Sequence, residues 1–254
     1  MKNPDSHLEW ITPVTRTDYQ RLMDPLADAC WPEFMLHDPL ADRYWNDLFE
    51  RFADYQFGLL DVETGKAVAM GNSLPLHWDG DPAALPEGGF DWVMEQAVLD
   101  HRAGLEPRTQ CAIQIAILPE YRSRGLSTKM VQRMRGIAQE KGFIRLLAPV
   151  RPNQKNQYPL TSIDHYITWK TAEGLPFDAW MRVHARLGAE VIKPCHASMR
   201  IAGTVAEWEG WAGMKFPESG PYIIPGGLNP VDVDVEANVG LYIEPNVWMV
   251  HQIG

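Results

Sequence analysis

Thr109–Lys141 reads TQCAIQIAILPEYRSRGLSTKMVQRMRGIAQEK, and three successive patterns in it imply a strand, a turn and a helix. Cys111–Leu118 is apolar but for Gln114, a length and Ile content that fit a strand buried on both faces. Pro119 and Glu120 stop it. From Leu126 the apolar residues fall at Leu126, Met130, Met134, Ile137 and Ala138, the spacing of one helix face. Lys129, Arg133 and Arg135 lie off that stripe, and Gly142 ends the helix. Between strand and helix stands Tyr121-Arg122-Ser123-Arg124-Gly125-Leu126-Ser127. A turn from a buried strand straight into a helix leaves backbone N–H groups without partners, and the helix dipole adds partial positive charge there. Gly125 allows positive φ and close approach to a ligand, and Arg122 and Arg124 add full charges. These features suit a phosphate or pyrophosphate.

The segment resembles the acyl-CoA-binding motif of the GCN5-related N-acetyltransferase (GNAT) superfamily, whose signature is Arg or Gln, two residues, Gly, one residue, then Gly or Ala. Here it reads Arg122, Ser123, Arg124, Gly125, Leu126, Ser127. Ile117–Arg122 is similar to the family's strand-to-loop sequence. Ser127 stands where Gly or Ala is usual and Ser123 where Gly is common; serine is still small, and its hydroxyl can meet a phosphate oxygen. A second resemblance lies in Val183-His184-Ala185-Arg186-Leu187-Gly188-Ala189. The family often shows an aliphatic residue, Tyr, two residues, Leu, then Gly-Phe, and His184 occupies the Tyr position.

The resemblance implies an α+β, three-layer fold: a central mixed, mainly antiparallel sheet with splayed central strands, flanked by helices. One domain is expected over residues 1–254, with a core of about 8–192, an inserted segment at 79–108 and elaborated C-terminal strands at 193–254. The resemblance also implies acyl transfer from acetyl-CoA, or another acyl-CoA, to a small-molecule amine by direct attack on the thioester, without a metal. Its implied donor-binding residues are Ile115, Ile117, Arg122, Ser123, Arg124, Gly125, Leu126 and Ser127. Amides around Ile115–Ile117 would polarise the thioester carbonyl. His184 would protonate the departing thiolate, because an imidazole keeps a donor near neutrality; as a lone histidine it has a packing role as the alternative. The base is not specified. The central strand offers only Gln114, which takes no proton at neutral pH, and Asp91, Glu95, Glu120 and Glu244 are unranked. Two other functions remain open: acyl transfer to, or processing on, a carrier-protein thiol, and a non-catalytic CoA-binding sensor or scaffold.

Composition narrows the classes. The 254 residues with 45% hydrophobic content support a sizeable core. A formal charge of −10 argues against a general nucleic-acid or anionic-membrane binder and would suit a cationic amine. The donor site must then be a local positive patch, for which Arg122, Arg124, Lys129 and Arg133 are available. The three cysteines, Cys30, Cys111 and Cys195, form neither a disulfide framework nor a zinc pattern. Cys195 beside His196 is a poor nucleophile motif, since sequence neighbours need not face each other. The N-terminus MKNPDSHLEW lacks an apolar signal region and no apolar run reaches membrane-spanning length, so a cytoplasmic setting is expected. A homodimer is compatible with all of this.

Along the rest of the chain, strands are expected at Leu8–Val14, Gln56–Val62, Lys66–Leu74 and Ile144–Val150. After Glu190 they are expected at 190–192, 198–203, 222–224, 231–235 and 242–251. Helices are expected from Tyr19, broken at Pro25, Pro32 and Pro39, then over 40–55, 90–101 and 177–187. Residues 153–164 read as a long polar loop. By resemblance, Trp31, Phe34, Tyr44 and Trp45 are candidate acceptor-wall residues. Trp208, Trp211 and Phe216 in the Gly- and Pro-rich tail would line a pocket, meet a partner subunit or cover a sheet edge.

Overall fold

The computed structural model describes residues 7–253. Most of the N-terminal stretch read above for a leader, and the last residue of the expected domain, lie outside them. The central unit forms as its sequence implies. Strand β4 (Thr109–Ile117) gives way at Pro119, and a helix follows at Leu126–Glu140. That helix buries Leu126, Met130, Met134, Ile137 and Ala138 on one face. It closes in a Schellman-type turn: Gly142 takes φ +76°, and the Phe143 N–H donates to the Ala138 carbonyl at 2.9 Å.

In chain order the other elements are β1 (Leu8–Ile11), α1 (Tyr19–Cys30), α2 (Pro39–Tyr44), α3 (Asp47–Glu50), β2 (Gln56–Asp61), β3 (Lys66–Leu76) and α4 (Gly89–Arg102). After β4 and the central helix, α5, come β5 (Arg145–Val150), α6 (Ile163–Tyr166), α7 (Ala179–Arg186), β6 (Glu190–Gly203), α8 (Val205–Ala212), β7 (Gly220–Tyr222), β8 (Val231–Asp234) and β9 (Val239–Gln252). Among the described residues these strands form one mixed sheet, ordered β1-β2-β3-β4-β5-β9-β8-β7, with β6 also paired to β9. Every pairing is antiparallel except β4 with β5. β5 pairs residues 247–252 of β9, and β8 pairs residues 239–241, past the end of β5.

Helices cover both faces. On one, α5 and α7 bury Met130, Met134 and Met181 against Leu59, Ala112 and Leu146. On the other, α1 packs Tyr19, Met23 and Leu26 on Met70 and Ala116. On that face too, α2, α3, α4 and α8 pack Tyr44, Leu48, Val93, Met94 and Trp208 around Leu74, Cys111 and Trp248. This is the three-layer, mainly antiparallel arrangement expected.

Several local expectations need correction. The expected helix over 40–55 is two short helices and a 3₁₀ turn. Tyr44, Leu48 and Phe52 are buried in a row as the pattern implied. The regular helix is nonetheless interrupted between Tyr44 and Asp47 and ends again at Glu50, and the Phe52 N–H reaches back five residues to the Asp47 carbonyl. Pro25 lies inside α1 rather than breaking it. It forgoes one N–H bond, and the Arg21 carbonyl so released belongs to an exposed residue. The strands expected at 190–192 and 198–203 are one strand with irregularities near Ile192 and at 196–198. The tail contains α8, whose signal was the capping box Thr204-x-x-Glu207: the hydroxyl accepts from the Glu207 N–H, and that carboxylate accepts from the Thr204 N–H at 2.7 Å. The polar loop at 153–164 is anchored by Lys155, fully buried, whose ammonium donates to the Tyr158 and Leu228 carbonyls at 3.0 and 2.6 Å.

Candidate active site

The β4–α5 turn is built as the sequence implied. Ser123 and Gly125 both sit in the left-handed region, with φ +61° and +77°. Gly125 is the residue that caps α5, and no side chain caps the helix. The amides from Ser123 to Thr128 therefore have no hydrogen-bond partner among the described residues. A Cβ placed on Gly125 would meet nothing within 4 Å. The space over this turn is open, as an anion seat requires.

The arginines are held close by. Arg122 Nε donates to the Ile117 carbonyl at 3.1 Å, and Arg124 donates to the Glu120 carbonyl at 2.9 Å. Arg124 also lies over the Tyr121 ring, 4.8 Å from its centroid. Tyr121 donates to Asp61 at 2.6 Å, tying the turn to β2 and holding the Asp61 carboxyl below its usual range. Both guanidiniums remain exposed. Arg133 is committed to Glu140 at 2.8 Å.

Beside the turn the sheet opens. β4 and β5 are in register only at Gln110 with Leu146 and Cys111 with Leu147. Beyond Ala112 the two strands part. The Leu118 N–H bonds to the Val68 carbonyl on β3. Backbone groups alternate sides along a strand, so those of Ile115 and Ile117 face the opening. Ile113, Ile115 and Ile117 are only half-buried, although they sit mid-sheet. The Ile117 carbonyl is taken by Arg122 and by the Cys30 thiol at 3.5 Å.

His184 is elsewhere. It is 3% exposed, and its Nδ1 lies 2.9 Å from His251 Nε2. Burial, then the His251 charge, pushes its pKa down to about 3, so the ring is neutral at physiological pH. His251 pairs with Leu146, at the closed end of the β4–β5 seam. An imidazole sealed there lacks the solvent-facing donor that the expected acid role requires.

The carboxylates can now be ranked. Glu95 and Glu120 are exposed. Glu244 is fully buried, ion-paired to Arg151 and hydrogen-bonded by the Tyr242 hydroxyl. Arg151 in turn donates to the Gly226 carbonyl at 2.7 Å. Asp91 faces Asp38, which caps α2 by accepting from the Leu40 and Ala41 N–H groups at 3.0 and 2.8 Å. Burial and the Asp38 charge push the Asp91 carboxyl up to about 8, so it keeps its proton at neutrality and donates to Asp38. Sequence reasoning missed this pair, because Asp38 and Asp91 are 53 positions apart and only the fold joins them.

Of the aromatic candidates, Phe34, Tyr44, Trp208 and Phe216 are core residues. Trp211 is half-buried and stacks on His37, ring centroids 4.3 Å apart. Gly226 abuts Pro32. The tail thus packs on the segment between α1 and α2. Cys195 is buried, while His196 is held between Glu87 and Asp164 at 2.7 and 3.0 Å.

Residues 21–160, which span the bare turn and the parted strands, match the acetyltransferase (GNAT) family. The chain belongs to that family. It is 31% identical over 271 residues to arginine N-acetyltransferase avaD of Aspergillus versicolor, covering 95% of this chain and 93% of that one. Among solved structures it is similar to the loading GNATL domain of CurA from Lyngbya majuscula, at 18% identity and a TM-score of 0.64, covering 98% of each chain. It is also similar to the GphF GNAT-like decarboxylase in complex with isobutyryl-CoA, at 15% identity and a TM-score of 0.51, covering 97% of this chain and 99% of that one. At these identities the structural likeness concerns the GNAT fold alone. Among the described residues no group of three or more His, Cys, Asp or Glu could hold a metal ion, and no helix is long and apolar enough to cross a membrane.

Proposed function

We propose that this GNAT-family chain moves an acetyl group from acetyl-CoA to the primary amine of a small basic molecule of the arginine kind. The observation that carries the reading is the row of partnerless amides at Arg124–Ser127, beside the half of β4 that β5 does not pair. Those amides and the α5 dipole would receive the diphosphate. The opening beside Ile115 and Ile117 would take the polar arm as an added strand does. Their N–H groups would polarise the thioester carbonyl. The acceptor is suggested by the relative that acetylates arginine and by the chain's net charge of −10.

In the reaction the amine lone pair forms the C–N bond, the C–S bond breaks, and the thiolate leaves to be protonated. The chain's own contribution is alignment of the two reactants and stabilisation of the oxyanion. With Glu244 locked to Arg151 and Asp91 protonated, the amine's proton goes to water.

The test is mass spectrometry after incubating the protein with acetyl-CoA and a panel of basic amines, with a phosphopantetheinylated carrier protein in a parallel lane. Acetylated arginine-type amine is expected. Acylation of the carrier alone would replace this reading with thiol transfer, and donor binding without turnover would leave a CoA-binding scaffold.

A further inference from the structure

The pairing of β3 with β4 slips between Asn72 and Ser73. Gln114 lies opposite Asn72 and Ala112 opposite Ser73, so Ile113 is the extra residue of a β-bulge. Beyond the bulge, Gln114 shares a face with Ala116, and Asn72 with Met70, the face on which α1 packs. The opposite face at this point is covered by α5. An acceptor that approached a thioester beside Ile115 from the Gln114 side would meet side-chain amide oxygens rather than an apolar wall.

Gln114 and Asn72 are 8% and 1% exposed, and Gln114 Oε1 and Asn72 Oδ1 are buried without a hydrogen-bond partner. The Asn72 oxygen is left free by construction. Gln56 gives its Nε2 to the Phe52 and Ser73 carbonyls at 2.8 and 2.9 Å. Its Oε1 must then point at Asn72, and it accepts from Asn72 Nδ2 at 3.0 Å and from the Ser73 N–H at 3.3 Å. Two backbone carbonyls thus fix Gln56, Gln56 fixes Asn72, and the Asn72 oxygen faces away from both. Buried carbonyl oxygens left so forfeit their hydration without return; Gln110 Oε1 and Asn246 Oδ1 are left so too, but of these amides Asn72 and Gln114 stand opposite each other in the strand pairing.

We infer that Asn72 and Gln114 form a carbonyl cradle that binds the attacking nitrogen of the acceptor amine. The inference rests on the N-acyltransferase reading above and gives it a source of selectivity. A primary amine has at least two N–H donors and satisfies both oxygens; a thiol or hydroxyl has one, and a carboxylate would set oxygen against oxygen. Neither amide can take a proton at neutrality, so the cradle orients the nitrogen and does not act as a base.

The test uses the full chain and steady-state kinetics with arginine and acetyl-CoA, for Asn72→Leu, Gln114→Leu and Gln114→Glu. Each Leu variant is expected to raise the amine KM roughly 10- to 150-fold, the cost of one hydrogen bond to a charged group, with the acetyl-CoA KM unchanged. Gln114→Glu keeps an acceptor oxygen and should hold the amine KM at or below the parent value. Acetyl-CoA affinity also reports whether each variant is folded. Amine KM unchanged in both Leu variants overturns the cradle, as does a rise matched by the acetyl-CoA KM or shared by Gln114→Glu. A parent protein that acetylates no amine refutes the function on its own. Arginine titrated into the CoA-loaded protein then reads the cradle directly: binding lost in the Leu variants upholds it, and binding that is absent or unaltered overturns it.

Discussion

Two glycines at the two ends of α5 offer an internally controlled test of the donor site. Gly125 and Gly142 have nearly the same φ, +77° and +76°, and at neither would a Cβ meet anything within 4 Å. Replacing either with alanine places an L residue in the left-handed region, at about 1 kcal/mol of stability. For a chain of this size that lowers Tm by roughly 2–4 °C. The two substitutions should therefore look alike in a thermal melt. They should differ in calorimetry with acetyl-CoA. At Gly125 the new methyl group enters the open space over the turn, where the diphosphate would lie, and would hold it off one amide. Loss of one charge-assisted hydrogen bond is about 1.5–3 kcal/mol, roughly a 10- to 150-fold weaker Kd. At Gly142 the affinity should be that of the parent. Equal affinities across the parent and both variants would refute the placement of the diphosphate, and equal losses in both would mean that helix stability governs binding.

The other predictions concern the buried pairs. Asp91 has a folded pKa of about 8 against an ordinary 3.8, so its contribution is whole below pH ~4 and is lost as pH rises through about 8. Asp91→Asn keeps a donor to Asp38 and should flatten that fall, seen as a smaller difference between urea midpoints at pH 5 and pH 8; an unchanged difference counts against the shared proton. His184, depressed to about 3 from 6.5, contributes stability that is present above pH ~6.5 and lost as pH falls towards 3. His184→Gln should weaken that acid loss and leave kcat near the parent value, whereas loss of a general acid would lower it roughly 10²–10⁴-fold. Arg151→Leu strands the Glu244 carboxyl in the core and should cost about 3–5 kcal/mol in denaturant unfolding. A loss below 1 kcal/mol would mean that Glu244 is already neutral and held by Tyr242.

The sheet's central strands and α5 were legible because their signals are local. Apolar runs, a proline stop and glycines in the left-handed region each act over a few residues. The turn at Arg122–Ser127 was legible for the same reason. What escaped was set by contacts distant in sequence. The 40–55 stretch has the periodicity of one helix, yet its hydrogen-bonded turns are interrupted after Tyr44 and after Glu50. α8 hid among glycines, although Thr204 and Glu207 marked its start. His184 matched a motif position, but burial against His251 depends on β9, 67 residues on. The Gln56–Asn72 hydrogen bond and the placement of Gln114 opposite Asn72 have no sequence signal, because the three amides lie on three strands and come side by side only once β2, β3 and β4 are in register.

The meeting of β4 with β5 over two residue pairs has a mechanical consequence. Among the described residues the sheet is two halves riveted between β4 and β5 at one end only. A donor arm laid along Ile115 and Ile117 would supply the missing rung and weld the halves into one continuous plate. The empty protein should then breathe at this seam, with amide exchange fastest near residues 113–117 and 148–150, and should quieten there first when the seam is filled.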